Sequence, residues 1–364
     1  MQNPDVLVVG GGPVGLAAAI GARLAGLRVL VVEPRTGPVD KACGEGLMPG
    51  ALAELERLGV RPHGHPIAGI GYHDGARAAQ HLFRGASGRG VRRTELSRAL
   101  HERAAELGVE RLEGRVVEVA QDARGVGVTL GDGSGIRSRW LIGCDGLHSG
   151  IRRLVGLEVP AARARRYGLR RHYRLAPWSD AVEVFWSGGV EVYVTPVAEG
   201  LIGVAMLGPR GMDYEGELAR IPELAERLNG AEPAGPVAGA GPLRQRVKAH
   251  ASGRVLLAGD ASGYLDALTG EGMRIGFAQA AAAVRVIAGA HDTPEGEAVG
   301  AGARGVGARA AAQYEREWRR ASGSANRFTA GLLLASQSPV RRMIVPVGER
   351  MPGLFSAAVE VIAR

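Results

Sequence analysis

Apolar residues fall in two short runs near the start of the chain, on either side of a segment of small residues. Residues 5–9 and 28–32 are almost continuously apolar and have the length of buried strands. Between them, residues 13–26 are rich in Ala and Gly and end at Gly26, as helices commonly do. The pattern predicts a strand, a helix and a second strand that is closed by Glu33.

Helical and strand periods alternate over the next segment. Leu96, Leu100, Ala104 and Leu107 recur at helical spacing within residues 91–108, and Thr94 is a candidate N-cap. Strands are predicted at 109–120, 126–131 and 136–142, separated by short turns.

The second half of the chain begins with a sheet and ends with helices. Residues 161–250 form successive apolar runs joined by short turns, which predicts an antiparallel sheet. Residues 254–258 then read as a buried strand, and Gly259–Gly272 is a glycine-rich junction before a helix that starts at Met273. Beyond it we expect a flexible Gly-rich loop at 291–304, an amphipathic helix at 308–322 and two or three further helices.

Composition places the chain among ordinary globular proteins. Its 364 residues are 46% apolar and 23% charged, with a net charge of +8. Almost all of the positive charge is arginine interspersed with acidic residues, so we expect no nucleic-acid partner. The two cysteines, Cys43 and Cys144, could pair but are too few for a metal cluster, and we expect no metal.

The chain shows no targeting or membrane-spanning pattern. The first residues lead directly into a strand, and the most apolar stretch, 328–347, is interrupted by Gln337, Pro339, Arg341 and Arg342. We therefore expect a cytoplasmic protein, a monomer or dimer, with no transmembrane segment. Peripheral contact with a membrane stays open.

The first apolar unit contains a dinucleotide fingerprint. Gly10, Gly12 and Gly15 fit G-x-G-x-x-G between strand and helix: Gly10 permits the turn, Gly12 lets the backbone approach a pyrophosphate, and Gly15 allows close helix packing. The helix N-terminus offers free N–H groups to the phosphates. Glu33 lies where a carboxylate accepts hydrogen bonds from an adenosine ribose, which favours FAD or NAD over NADP at this site.

Two further strand ends carry motifs in the same order as one known superfamily. Residues 145–152 read D-G-x-x-S-x-x-R, and Gly259-Asp260 ends the strand before the glycine-rich junction. With the glycine fingerprint, this order over residues 4–290 resembles the FAD-dependent monooxygenase superfamily of the para-hydroxybenzoate hydroxylase fold, in particular its geranylgeranyl reductase-like branch. The superfamily also includes flavin-dependent halogenases.

The resemblance implies an α/β fold and a division of the chain. It implies a Rossmann-like FAD-binding domain of the GR2 type, an antiparallel β-sheet substrate domain and C-terminal helices. The FAD-binding domain would comprise residues 1–75, 93–160 and 251–290. The substrate domain would comprise residues 76–92 and 161–250, and the C-terminal helical region residues 291–364.

The resemblance also implies the cofactor contacts. Asp260 would bind the ribityl chain of FAD. The backbone N–H groups at 270–272 would stabilise negative charge on the reduced flavin by roughly 0.3–2 kcal/mol. The full set of implied cofactor residues is Gly10, Gly12, Pro13, Val14, Gly15, Glu33, Pro34, Arg35, Lys41, Cys43, Gly44, Arg93, Val117, Asp145, Gly146, Gly259, Asp260, Asp266, Gly270, Glu271, Gly272 and Met273. Because only one fingerprint is present, we expect NAD(P)H to bind transiently on the FAD domain.

The substrate region offers few candidates for chemistry. Six aromatic residues cluster between Tyr167 and Tyr193, which suits either a flat apolar ligand or a packed sheet. His172 and Tyr193 are weak candidates for proton transfer, and the catalytic residues stay unknown. In flavin hydroxylation the cofactor forms the hydroperoxide, so no protein nucleophile is required.

Several functions compete. The leading hypothesis is an NAD(P)H-dependent monooxygenase that hydroxylates a small apolar or phenolic intermediate of secondary metabolism. The alternative is a reductase of C=C bonds, because the 259–272 junction is closer to the geranylgeranyl reductase form. A halogenase is disfavoured because a W-x-W-x-I-P motif is missing and the chain has no lysine between Lys41 and Lys248. A non-catalytic flavin-binding module is the remaining alternative. An NAD dehydrogenase is disfavoured because the motifs at Asp145-Gly146 and Gly259-Asp260 would then have no role.

Overall fold

The apolar runs at the start of the chain are the central strands of a six-stranded sheet. In the computed structural model, which describes residues 3–37, 40–160, 166–291 and 303–363, this sheet has the order β21-β22-β12-β1-β2-β8. Its strands are parallel apart from the β21–β22 pair. They are β21 (Ala251–Ser252), β22 (Val255–Leu257), β12 (Trp140–Gly143), β1 (Val6–Val9), β2 (Val29–Glu33) and β8 (Glu110–Glu113).

Helices cover this sheet because their small residues allow close packing. The helix between β1 and β2 is almost wholly buried, and it packs against the long helix that follows the glycine-rich junction. The helices are α1 (Pro13–Leu24), α2 (Pro49–Arg57), α3 (Arg93–Glu106), α4 (Gly150–Leu154), α5 (Tyr214–Ala219), α6 (Pro222–Arg227), α7 (Gly272–His291), α8 (Ala303–Ser336), α9 (Arg341–Arg350) and α10 (Pro352–Ala363). A 3-10 helix spans Gly259–Ser262.

A larger sheet forms the second layer. Its strands follow the order β18-β14-β17-β16-β15-β5-β6, with β19 beside β14. It is antiparallel except between β5 and β15, so the predicted antiparallel sheet is confirmed with one parallel pair added. The strands are β5 (Gly69–Asp74), β6 (Arg77–Leu82), β14 (Arg166–Arg174), β15 (Ala181–Ser187), β16 (Val190–Ala198), β17 (Leu201–Pro209), β18 (Glu232–Pro233) and β19 (Ala238–Ala240).

Smaller sheets connect the two layers. They pair β9 with β10 and β11, β13 with β20, and β7 with β3 and β4. Their strands are β3 (Gly46–Leu47), β4 (His65–Ile67), β7 (Gly88–Gly90), β9 (Val116–Gln121), β10 (Val126–Leu130), β11 (Gly135–Ser138), β13 (Glu158–Val159) and β20 (Arg246–Val247).

Three predictions about local structure were wrong in detail. The strand predicted at 109–120 is two strands, because the chain leaves the six-stranded sheet after β8 and joins β10 as β9. The strand predicted at 136–142 divides in the same way between β11 and β12. Thr94 is not an N-cap: α3 begins at Arg93, and the carboxylate of Glu45 accepts the N–H of Arg93 instead.

The described part of the C-terminal quarter is mainly helical, as expected. The helix predicted at 308–322 is the middle of α8, and α9 and α10 pack on β6 of the larger sheet. Residues 292–302 of the predicted Gly-rich loop lie outside the described residues. The expected domain boundary at 75–76 falls between the paired strands β5 and β6, so we propose that the substrate domain begins at Gly69.

Candidate functional site

The three glycines of the fingerprint form a tight turn at the carboxyl end of β1. Gly10 has φ +108°, and a Cβ atom on it would lie 2.4 Å from the carbonyl oxygen of Cys144. A Cβ on Gly15 would lie 1.8 Å from the carbonyl oxygen of Gly10, so Gly15 serves close packing and does not line the cleft. A Cβ on Gly12 would meet nothing within 4 Å, which leaves the N-terminus of α1 open to a ligand.

A large cavity starts at this turn and runs between the two layers. Its volume is about 1070 Å³, at the upper end of the range of about 300–1,000 Å³ usual for ligand sites. All the expected cofactor residues line it except Gly15, Asp266 and Glu271. We call its first part the cofactor cleft; its expected lining residues are Gly10, Gly12, Pro13, Val14, Glu33, Pro34, Arg35, Lys41, Cys43, Gly44, Arg93, Val117, Asp145, Gly146, Gly259, Asp260, Gly270, Gly272 and Met273.

Glu33 sits at the adenosine end of the cofactor cleft. Its buried carboxylate accepts the N–H of Gly11 at 2.8 Å and the Nε of Arg35 at 2.7 Å. These bonds fix the carboxylate at the end of β2, and each oxygen keeps a lone pair for a further donor. The arrangement suits a ribose diol.

The D-G-x-x-S-x-x-R motif binds two loops together. Ser149 caps α4 by accepting the N–H of Arg152, and its hydroxyl donates to Asp145, which also accepts the N–H of Ile151. The fully buried guanidinium of Arg152 donates to the carbonyl oxygens of Leu147, Asp260 and Ala261. Asp145 therefore holds its own loop, while Gly146 with φ +83° lines the cleft.

Positive charge gathers in the middle of the cleft with no carboxylate in direct ion-pair contact. Among the described residues, neither Lys41 nor Arg93 has an acidic side chain within ion-pair distance. Burial, and then the nearby charge of Arg35, lower the pKa of Lys41. A pyrophosphate would supply the missing negative charge.

Asp260 faces the same part of the cleft with an acceptor to spare. Its carboxylate makes no hydrogen bond to a described residue, and burial raises its pKa although Lys41 and Arg93 act in the opposite direction. Gly259 has φ +64°, and a Cβ atom on it would lie 3.1 Å from a methyl carbon of Val14. An unpartnered carboxylate at this depth fits a row of ligand hydroxyls, as the ribityl chain of FAD would present.

The glycine-rich junction closes the cleft at the start of α7. Gly270, Gly272 and Met273 line it, whereas Glu271 turns away and pairs with Arg274. Asp266 and Glu271 instead line a separate small cavity of about 30 Å³, next to Asn326 and Thr329. Burial raises the pKa of both carboxyl groups. The resemblance implied that both residues contact the cofactor, but they line this second cavity and not the cofactor cleft.

The far part of the cavity is apolar, and we call it the apolar chamber. One face of the larger sheet forms its wall, because alternate residues of β5, β15, β16 and β17 point the same way. Its lining residues are Met48, Ile70, Tyr72, Val182, Val184, Tyr193, Thr195, Ala205, Leu207, Leu268 and Ile362, none of which is charged.

Two of the three hydroxyl groups in the apolar chamber already bind backbone carbonyl oxygens, and that of Tyr72 makes no hydrogen bond to a described residue. Tyr193 donates to the carbonyl oxygen of Leu268 at 3.1 Å, and Thr195 donates to that of Gly44 at 2.8 Å. Burial raises the pKa of Tyr72 and Tyr193, so both stay protonated. Of the six clustered aromatic residues only Tyr193 lines the cavity; Tyr173 and Phe185 pack under α5 and α6 on the other face.

Cys43 lies where the cofactor cleft meets the apolar chamber. Burial raises the pKa of its thiol, which is therefore protonated near neutral pH, and its sulfur accepts the N–H of Glu45 at 3.4 Å. Cys43 and Cys144 are both free thiols, so the pairing that the sequence left open is not formed. No group of three metal-ligating side chains occurs in the part of the chain that the structure describes.

Glu45 is a site residue that the sequence did not reveal. It lines the cavity with a left-handed backbone at φ +59°, and its carboxylate binds the backbone N–H of Arg93 and the Nε2 of His172. His172 does not reach the cavity but lies fully buried behind Glu45. The one sequence signal for Glu45 was its position between two glycines, Gly44 and Gly46, in a loop next to the predicted cofactor residues.

A family model and several known proteins are similar to this chain. A family model described as FAD binding domain matches residues 3–197. A menaquinone reductase from Mycolicibacterium smegmatis is 40% identical over 163 residues, which are 42% of this chain and 40% of that protein. A rifampicin monooxygenase from Streptomyces venezuelae is 35% identical over 173 residues, 44% of this chain and 36% of that protein. The matched segment is thus well under half of either relative.

One relative matches over most of its length. A menaquinone reductase from Mycobacterium tuberculosis is 30% identical over 304 residues, which are 76% of this chain and 74% of that protein. Among solved structures, a flavin-dependent brominase gives a TM-score of 0.78 at 18% identity, over 100% of this chain and 94% of that one. A p-nitrophenol 4-monooxygenase from Pseudomonas putida gives 0.75 at 21% identity, over 99% and 95%. At these identities the structural likeness shows the fold alone.

Proposed function

The chain belongs to the FAD binding domain family, and on that premise we propose that this FAD-dependent oxidoreductase is an NAD(P)H-dependent monooxygenase that hydroxylates a small apolar or phenolic molecule. FAD supplies the redox chemistry and the activation of oxygen when it is bound. The protein supplies the orientation of the two reactants and the exclusion of water.

The residues of the cofactor cleft fit FAD in three respects. The open N-terminus of α1 would hold the pyrophosphate together with Lys41 and Arg93, which have no described acidic side chain within ion-pair distance. Glu33 would bind the ribose of the adenosine half, and the unpartnered carboxylate of Asp260 would bind the ribityl hydroxyls. The ring would then lie beside Cys43 and Gly270, at the mouth of the apolar chamber.

The observation that carries the proposal is the continuity of the cofactor cleft with an uncharged chamber. One cavity contains both, and the chamber wall consists of buried side chains such as Val184 and Leu207. Transfer of a neutral apolar substrate from water to this wall would lower its free energy. A charged substrate would lose its hydration and find no described counter-charge there. The uncharged wall therefore supports the proposal of an apolar substrate.

The proposal includes transient binding of the nicotinamide reductant. Only one glycine fingerprint is present, and the cofactor cleft already uses it. NAD(P)H would therefore reduce the bound flavin and leave, without a domain of its own.

Reduction of a C=C bond is the second candidate, and Cys43 favours it. A protonated thiol at the junction of cleft and chamber could deliver the proton that such a reduction requires. Two of the relatives carry the name menaquinone reductase, which also points to reduction of a lipid.

The two candidates differ in their need for oxygen. Purified protein loaded with FAD is given NADH or NADPH and either an alkylated phenol or a polyprenyl quinone, in air and under argon. Hydroxylation requires air and yields a product with one added oxygen atom. A product with two added hydrogen atoms under argon, lost in Cys43→Ala, would replace the leading function by the second.

A further inference from the structure

Exposed apolar side chains are concentrated at one end of the molecule. Eleven large apolar side chains are exposed among the described residues, and seven of them lie on α8, α9, α10 and the end of β6 or directly beside these helices. We call these seven the C-terminal face: Leu82, Leu334, Val340, Met343, Met351, Leu354 and Val361. Leu334 is 72% exposed, far more than a side chain that only borders a core.

Three elements of the C-terminal face, β6, α9 and α10, pack together. Both α9 and α10 contact β6, and they contact each other. Glu360 on α10 accepts hydrogen bonds from His81 and from the N–H of Arg84, which flank Leu82 in the chain. Leu82 and Val361 are therefore neighbours on a common surface.

Basic residues accompany the apolar ones. Arg84, Arg327, Arg342 and Arg350 are exposed on the same elements, and none forms an ion pair with a described acidic side chain. Glu349 is the one exposed acidic residue among the described residues of α9 and α10. Apolar side chains among unpaired arginines are the composition of an interfacial surface that meets anionic lipid headgroups.

The C-terminal face is also the outer side of the apolar chamber wall. On α10, Leu354, Ala357 and Val361 point outward, while Ile362 lines the chamber. Phe355 packs edge-on against Tyr72, another chamber residue, at 5.6 Å between ring centres. One helix thus separates the exposed face from the place where an apolar substrate would bind.

We propose that the C-terminal face docks on an anionic membrane surface, from which the chamber takes a substrate dissolved in the lipid. The second half of this statement rests on the proposed function; the docking does not. No helix among the described residues is long and apolar enough to cross a bilayer, so the contact is peripheral. A second copy of the chain is a poorer occupant, because a two-fold interface would bring the same unpaired arginines together.

Flotation with lipid vesicles tests the docking without any substrate. FAD-loaded protein is mixed with vesicles of phosphatidylcholine alone or with one third phosphatidylglycerol. We expect flotation with the anionic vesicles and its loss at high salt. The double variants Met351→Glu/Leu354→Glu and Arg342→Glu/Arg350→Glu should each bind about tenfold more weakly or worse.

A matched control is Leu24→Glu, which places the same change on an exposed leucine at the end of α1. It should float like the unaltered protein. Docking is overturned if the unaltered protein does not float, if Leu24→Glu weakens binding as much as the C-terminal variants, or if light scattering shows a dimer that Leu354→Glu dissolves. Hydroxylation of a water-soluble phenol by a protein that does not float would leave the proposed function standing and remove the docking.

Discussion

The Nε2 atom of His172 lies 2.5 Å from the carboxylate of Glu45, in a contact between the larger sheet and the loop beside the cofactor cleft. The Nδ1 atom of the same ring lies 2.9 Å from Nη1 of Arg170, which can only donate. His172 must therefore accept through Nδ1 and donate from Nε2 to Glu45. This bond, with that of Thr195 to Gly44, fixes the loop that carries Cys43.

Replacement of His172 by Phe should destabilise the protein without touching the cofactor cleft directly. The change leaves the Oε2 atom of the buried Glu45 carboxylate without its donor, which costs roughly 3 kcal/mol. Urea unfolding measures the loss. The control His63→Ala alters an exposed ring and should change the free energy of unfolding by less than about 0.5 kcal/mol. Equal stability of His172→Phe and the unaltered protein would contradict the structural role of the bond.

The fingerprint glycines should separate into folding and binding roles. Gly15→Ala should unfold or strongly destabilise the protein, because its methyl group would meet the Gly10 carbonyl oxygen at 1.8 Å. Gly12→Ala places a methyl group in open space, so the apoprotein should melt within a few degrees of the unaltered protein. Its FAD affinity should fall at least about tenfold, since the methyl group blocks the approach of the pyrophosphate. Thermal melting and flavin fluorescence quenching read the two effects separately.

Asp260→Asn should stabilise the apoprotein while weakening FAD binding. Burial raises the pKa of Asp260 in the folded state, so the folded form holds its proton more tightly than the unfolded form. Its contribution to stability therefore falls as the pH rises from about 4 through the folded pKa. The asparagine removes this dependence, and apoprotein melting from pH 4 to 8 should show a smaller decline. A charge-assisted hydrogen bond to FAD is lost as well, which lowers the affinity about tenfold to a hundredfold.

Filling the apolar chamber should abolish substrate turnover but leave FAD in place. Ala205 lines the chamber on β17, and Ala205→Trp would occupy the space that the substrate needs. Substrate-stimulated NAD(P)H oxidation should fall at least about tenfold while the bound FAD content stays unchanged. Ala198→Trp, at the exposed end of β16 in the same sheet, is the control and should retain activity. Full activity of Ala205→Trp would show that the substrate binds outside the apolar chamber.

The cofactor cleft could be predicted largely from the sequence because its contacts are local. The turn at Gly10–Gly15, the acid at Glu33 and the motif from Asp145 to Arg152 each occupy one strand end, and parallel strands bring their carboxyl ends to one edge. Spacing along the chain is enough to recognise such sites.

The contacts between the layers could not be predicted in this way. Glu45 and His172 are 127 residues apart, and nothing in either local pattern marks the other as its partner. Thr94 was a plausible cap by composition, but the distant Glu45 took that role. Asp266 and Glu271 belong to the glycine-rich junction and were predicted to contact the cofactor, yet the direction of their side chains depends on the packing of Arg166 and Arg274.

The most direct test of an FAD-dependent monooxygenase is to follow the oxygen atom. Purified protein with FAD and NAD(P)H is supplied with an alkylated phenol under ¹⁸O₂, and the product is analysed by mass spectrometry. Hydroxylation predicts one ¹⁸O atom in each product molecule, and the Gly12→Ala protein should form less of this product at limiting FAD. A colourless protein that takes up no FAD, or a product free of ¹⁸O that carries two added hydrogens, would contradict it.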